Sequence, residues 1–294
     1  MEDKEIINGN CWVAYFDILG FSSMVESFPV EFVREKLREA QKEGEQFNAI
    51  CRFKFFSDSF IFYTENDSMD SFKKIWEVSA FFFMIMFAKS KIPHFPMRGC
   101  LNVGRFYADE KNGIFFGSAL INAYSLSEDQ DWIGFVLSEE AKKKLKDYES
   151  TNFESSKCFL FQEYNVPYKT KPKKRNLLVY KPRSDLLTSS PERLWSTLSN
   201  MEHEAFLALH NDTTNGDVNI CSKCKKIFTK YHNTEDYFLF MYPSLQSKGR
   251  KRFNQDELCA GCPKKKTLAK KIRNFAVTIV LLIKNVSLCS LWLK

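Results

Sequence analysis

Residues 52–64, RFKFFSDSFIFYT, constrain this chain more than any other stretch. Two apolar runs of strand length are separated only by Ser57-Asp58-Ser59, so they fold back on each other as a β-hairpin with a polar tip. Antiparallel pairing there, in a chain whose other apolar runs alternate with helical patterns, predicts an α+β fold. Residues 11–17 (CWVAYFD) read as a buried strand ending on Asp17, and a helix starts near Ser22. Further helices are predicted over 30–48, 69–90 and 139–148, and FFGSALINAYSLSED (115–129) reads as a strand end running into a helix. Strands are predicted in MRGCLNVGRFYAD (97–109), WIGFVLS (132–138), KCFLFQEY (157–164) and NLLVYKP (176–182).

The chain has 294 residues, 44% of them hydrophobic, with 29 Phe, enough for a substantial core and an appendage. A Pro- and Ser-rich stretch near 182–191 divides it. We expect a main domain over 1–182, a linker and helix over 183–216, a cysteine module over 217–273 and an apolar helix over 274–294. From Asp217 onward there are 16 Lys and Arg against 5 Asp and Glu, leaving 27 against 31 in residues 1–216. The net charge of +7 therefore belongs to the tail and says little about the body. The first ten residues, MEDKEIINGN, hold no apolar leader, so the expectation is a cytoplasmic protein with reduced cysteines.

Asp17 ends the first strand and Asp58 sits at the hairpin tip. If the two strands are neighbours, both carboxylates project from one sheet edge. Such a pair can hold two divalent ions that clamp a triphosphate for in-line displacement. Hard oxygen donors of this kind suit Mg²⁺ and Mn²⁺. The turn from Leu19 through Gly20 and Phe21 to Ser23 adds backbone N–H groups that attract phosphate. The plainer reading, a helix-capping Asp beside a turn Asp, stands next to it.

Four segments resemble class III nucleotidyl cyclases in order and spacing, over about residues 11–180. YFDILGFSSMVE resembles the family's FxDIxGFTxL segment, and KFFSDSFIFY its KxxGD hairpin with Ser57 in place of glycine. MRGCLNVG resembles MRxGIxxG, and FGSALINAYSLSE the GxxVNxAxRL helix. The resemblance implies a class III cyclase-like central antiparallel sheet flanked by helices. It implies Asp17 and Asp58 as metal ligands for two Mn²⁺ or Mg²⁺, with the Ile18 carbonyl as an auxiliary donor. Gly20 and Phe21 would lie in the phosphate turn and Arg98 against the triphosphate. Lys54 falls where purine cyclases read the base. Arg98 as a surface strand residue and Lys54 as a solvated one remain open.

The departures narrow the reading. The helix that supplies an Asn and an Arg in the family offers Ile121 and Ser125 here; a one-residue shift recovers Asn122 but no arginine. The second base-reading position is Ile114, so the purine-specific polar pair is half missing. The pattern is most similar to the bacterial pyrimidine cyclases of the Pycsar antiphage systems. That resemblance implies a homodimer with interfacial sites converting UTP or CTP to cyclic UMP or cyclic CMP, a second messenger in antiphage defence. The alternatives are a degenerate cyclase fold that binds nucleotide or nucleic acid, and an adenylate cyclase if Lys54 reads adenine.

Cys221 and Cys224 (CSKC) and Cys259 and Cys262 (CAGC) form two C-x-x-C pairs in a basic, polar stretch, the pattern of a structural Zn²⁺ site. A redox role lacks the expected βαβ setting. Basic residues interleaved with aromatics around this module read as a solubilising face in preference to a nucleic-acid surface. The stretch 275–293 is apolar with Lys284 near its middle, which favours a helix on a membrane surface or on the dimer over a span.

Overall fold

The computed structural model describes residues 6–88, 95–149, 161–181, 195–201 and 222–248. Eight strands form one sheet: β1 (Ile6–Ile18), β2 (Arg52–Phe56), β3 (Ser59–Tyr63), β4 (Met97–Asp109), β5 (Ile114–Phe116), β6 (Gly134–Leu137), β7 (Phe161–Pro167) and β8 (Lys174–Tyr180). Its order is β2-β3-β1-β4-β6-β8-β7, with β5 paired to β4. The hairpin β2–β3 forms as the sequence demands, and β3 lies antiparallel beside β1 with Asp17 opposite Ser59.

The expected sheet was antiparallel throughout; it is mixed. β4 and β6 run parallel, because the chain returns from β5 through helix α4 (Ser118–Asp129) before entering β6. A parallel neighbour requires such a crossover.

The period-2 pattern of β1 sorts its side chains between two layers. Trp12, Ala14, Phe16 and Ile18 face α3 (Met69–Ala88), where Phe82 and Phe83 complete the larger core. On that side α2 (Val30–Glu45) reaches β2 through Gly44, where an added Cβ would fall 2.1 Å from the Phe53 ring. Cys11, Val13 and Tyr15 face the other way, toward α4. Asp17 shares their parity and therefore lies on the α4 side. Cys11, Cys51 and Cys100 are buried free thiols, as expected of core cysteines. Burial pushes the Cys11 thiol up to about 11, which keeps it unreactive.

Short α1 (Phe21–Ser27) and α5 (Glu139–Glu149) complete the main domain. The C-terminal region departs from expectation. Residues 222–241 form a 20-residue helix, here α6 (Ser222–Met241), followed by a 3-10 turn, Pro243–Lys248. Instead of standing apart as a module from 217, α6 packs on the sheet: Tyr231 and Phe238 join the α3-side core, Tyr237 and Met241 the α4-side core. Trp195, Leu198 and Met201 are buried in the same α3-side core. Among the described residues no helix is long and apolar enough to cross a membrane. Residues 275–293 lie outside the described residues, as do Cys221, Cys259 and Cys262; Cys224 falls within α6.

Candidate active site

Three strands bring the site together at one end of the sheet. β1 ends at Asp17-Ile18, the β2–β3 hairpin turns at Asp58, and β4 begins with Met97-Arg98. The Ile18 N–H donates to the Asp58 carbonyl at 3.1 Å, fixing the hairpin tip against the end of β1. Arg98 lies opposite Asp17 in the β1–β4 register. Backbone pairing thus brings positions 17 and 58 to the same end of the sheet. The tip itself is strained: Ser57 adopts φ 57°, the left-handed region that favours glycine.

Asp17 is buried at 7% exposure and Arg98 at 5%. The guanidinium donates from Nε (3.0 Å) and Nη2 (2.8 Å) to the same oxygen, Oδ2 of Asp17. Nη1 donates to the carbonyls of Glu128 (2.9 Å) and Gln130 (3.3 Å), and Nη2 also donates to the Glu128 carboxylate. All five N–H donors are thereby used. In the protein alone these donors are taken up by Asp17, Glu128 and Gln130. Arg98 compensates Asp17 and ties the end of α4 to the sheet.

Burial pushes the Asp17 carboxyl up to about 6; Arg98 opposes that, while the negative charges of Glu128 and Asp58 add to it. Arg98 pairs with two of these carboxylates, Asp17 and Glu128. A divalent cation held between Asp17 and Asp58 would relieve the repulsion between those two carboxylates.

The donor set fits such an ion. Both Arg98 bonds go to Oδ2, so neither uses Oδ1 of Asp17. Asp58 and the Ile18 carbonyl supply further hard oxygens, and an incomplete protein cage finished by water and phosphate suits Mg²⁺ or Mn²⁺. Among the described residues no group of three or more His, Cys, Asp or Glu is arranged as a metal cage of its own.

The other expected residues divide. Gly20 sits at φ 79° just before α1, with no side-chain cap on that helix, so it shapes the turn expected to face phosphate. Phe21 packs against the α3-side core as a buttress of that turn. Lys54 is held by Glu110 at 2.9 Å, in a cluster where Tyr63 donates to Glu110 at 2.7 Å and Arg52 lies 3.5 Å away. That pairing corrects the picture of Lys54 as a free solvated lysine. Asn122 is exposed and lines a groove with Ser125, Asp129 and Arg175. The α4 residue that Arg98 ties to the Asp17 cluster is Glu128, near the other end of that helix.

Sequence reasoning missed Glu128, Gln130, Lys169 and Lys230. Gln130 is fully buried, donating to the Gly99 carbonyl at 3.1 Å and accepting from Trp132 Nε1 at 2.8 Å. Lys169, in the β7–β8 turn, donates to the Glu128 carbonyl. Only the acidic end of SLSED hinted at the first of these.

No protein-family model matches the chain, and no curated protein matches it. Among solved structures it is similar to the catalytic core of a rhodopsin-guanylyl cyclase with converted specificity. That match has 14% identity and a TM-score of 0.48, and covers 61% of this chain and 99% of that one. It is also similar to the guanylate cyclase domain of RhGC from Catenaria anguillulae (13% identity, TM-score 0.45, 60% and 98% covered). A third is the adenylyl cyclase CyaB from P. aeruginosa (14% identity, TM-score 0.42, 62% and 98% covered). Likeness of this degree assigns neither family nor activity, and function has to be argued from the site itself.

Proposed function

We propose that this protein is a metal-dependent nucleotide cyclase that converts a pyrimidine nucleoside triphosphate, UTP or CTP, to its 3′,5′-cyclic nucleotide and pyrophosphate. The observation that carries this reading is the junction of Asp17 and Asp58 at one sheet end, with Asp17 buried, charge-compensated by Arg98 and keeping Oδ1 clear of that pair. In the reaction the ribose 3′-oxygen attacks the α-phosphorus, the bond to the β-phosphate oxygen breaks, and pyrophosphate leaves. Two Mg²⁺ or Mn²⁺ ions, when bound, would supply Lewis acidity at the 3′-hydroxyl and neutralise charge on the phosphates. Asp17 and Asp58 would hold them, with the Ile18 carbonyl. Arg98 acts one step removed, keeping Asp17 in one orientation. Among the described residues none is assigned as a dedicated base, and the 3′-hydroxyl proton passes to water.

The pyrimidine choice rests on sequence similarity and on the loss of the purine-reading pair. Ile114 is exposed and apolar, and Lys54 is committed to Glu110. In the systems the sequence resembles, the product is a signal in antiphage defence, and that role is part of the reading. A homodimer is supported by apolar exposure on β5 and α4: Phe116 at 55%, Ile121 at 59% and Tyr124 at 49%. This is the face expected to close the partner's pocket.

Incubating the protein with each of the four nucleoside triphosphates and Mn²⁺, and identifying products by mass, tests the reading. Cyclic UMP or cyclic CMP is expected. Cyclic AMP alone would move the assignment to the adenylate alternative, and binding without turnover would favour a degenerate fold.

A further inference from the structure

Helix α6 crosses the same end of the sheet that carries Asp17. Asn233 Nδ2 donates to the Asp131 carbonyl at 2.7 Å, and Thr234 Oγ1 accepts from the Ile133 N–H at 2.8 Å. One turn further, the Tyr237 hydroxyl donates to the Tyr180 carbonyl at 2.6 Å, and its ring meets Trp132 edge-on at 4.9 Å. These contacts grip residues 131–133, directly after the Glu128 and Gln130 carbonyls that hold Arg98. The same helix face, one turn before Asn233 and Thr234, carries Lys230. It is half-buried, and its ammonium has no hydrogen-bond or ion-pair partner among the described residues. Burial and the nearby charges of Arg98 and Lys169 hold its pKa below the ordinary lysine value, while Asp131 and Asp17 oppose that shift.

A half-buried cation beside two others, with no hydrogen-bonded acceptor, is an arrangement that an arriving polyanion relieves. We infer that Lys230, delivered by α6, is a binding residue for the phosphate chain of the substrate, next to the Asp17–Arg98 pair and assisted by Lys169. This deepens the cyclase reading, on which it rests for the identity of the substrate. It also assigns α6 a role: the helix grips the loop that fixes Arg98 and adds a phosphate contact from outside residues 1–182.

The test uses the full chain and inorganic tripolyphosphate, with and without Mn²⁺, measured by isothermal titration. Lys230→Gln is expected to weaken tripolyphosphate binding about 10-fold, the loss of one charge-assisted contact. Lys230→Arg should stay within about threefold of the parent, and Lys226→Gln, an exposed lysine on the same helix, should bind as the parent does. With a nucleotide that turns over, Lys230→Gln raises KM with little change in kcat. Unaltered thermal midpoints keep the comparison free of folding effects. If the parent binds tripolyphosphate through Lys230 but turns over no nucleotide, the cyclase reading fails and this inference survives. If nucleotide is cyclised and Lys230→Gln binds tripolyphosphate like the parent, or if the parent does not bind it, this inference is overturned.

Discussion

Replacing Arg98 by Met would test the electrostatic core of the site. The substitution keeps most of the side-chain volume but removes five donors, of which two serve Asp17 and three serve Glu128 and Gln130. Asp17 is then a buried carboxylate without its hydrogen-bonded charge partner. Breaking a buried pair from one side costs about 3–5 kcal/mol when the survivor stays ionised. For a domain of this size that corresponds to roughly 6–20 °C in thermal midpoint. The survivor can escape the penalty by taking up a proton. With Arg98 present its pKa already lies near 6, and without it the value rises further. At pH 5 the variant therefore carries neutral Asp17, and the loss shrinks toward the value of the missing hydrogen bonds, about 1–3 kcal/mol. Thermal unfolding of parent and variant at pH 8 and pH 5 reads both numbers. Equal losses at the two pH values, or a loss below about 1 kcal/mol at pH 8, would refute the idea that Arg98 is there to carry the Asp17 charge.

Further outcomes follow from the same geometry. Ser57→Gly should raise stability by up to about 1 kcal/mol, because glycine accepts φ 57° without the left-handed penalty, and a lowered melting temperature would contradict this. Gly99→Ala should destabilise by about 1–3 kcal/mol, since its Cβ would fall 2.3 Å from the Phe16 ring. Cation binding needs the Asp17 carboxylate, so Mn²⁺-dependent kcat/KM should fall as pH drops through about 6. The stability contribution of Asp17 runs the opposite way: folded Asp17 keeps its proton to about pH 6, the unfolded chain releases it near 3.9. That contribution is full below pH 4 and lost as pH rises to 6.

Strand β1 and the hairpin were legible because each is written locally. The unbroken apolar run from Cys11 to Phe16 marks a buried strand, and a polar tip between two apolar runs leaves only one way to fold. The partner of Arg98 was not legible in that way. Its pairing with Asp17 depends on the β1–β4 register, and Glu128 arrives through a helix whose end is fixed by buried Gln130. The Lys54–Glu110 pair likewise joins residues distant in sequence. The parallel step between β4 and β6 was hidden because a hairpin elsewhere says nothing about the direction of a strand reached through α4. Helix α6 was obscured by the C-x-x-C pairs and the basic charge around it. A signal was present nonetheless: Phe228, Tyr231, Phe238 and Met241 recur at helical spacing and are all buried.

The central claim is that Asp17 and Asp58 together support cyclisation, and the cleanest probe is Asp58→Asn, because residue 58 lies at the hairpin tip and outside the core. Cyclic nucleotide and pyrophosphate should form in equal amounts from the parent with Mn²⁺, and fall at least 100-fold in the variant while its thermal midpoint is unchanged, a loss of about 2.7 kcal/mol or more in transition-state stabilisation. Full activity in Asp58→Asn, or undiminished activity of the parent after chelation of divalent ions, would contradict the account.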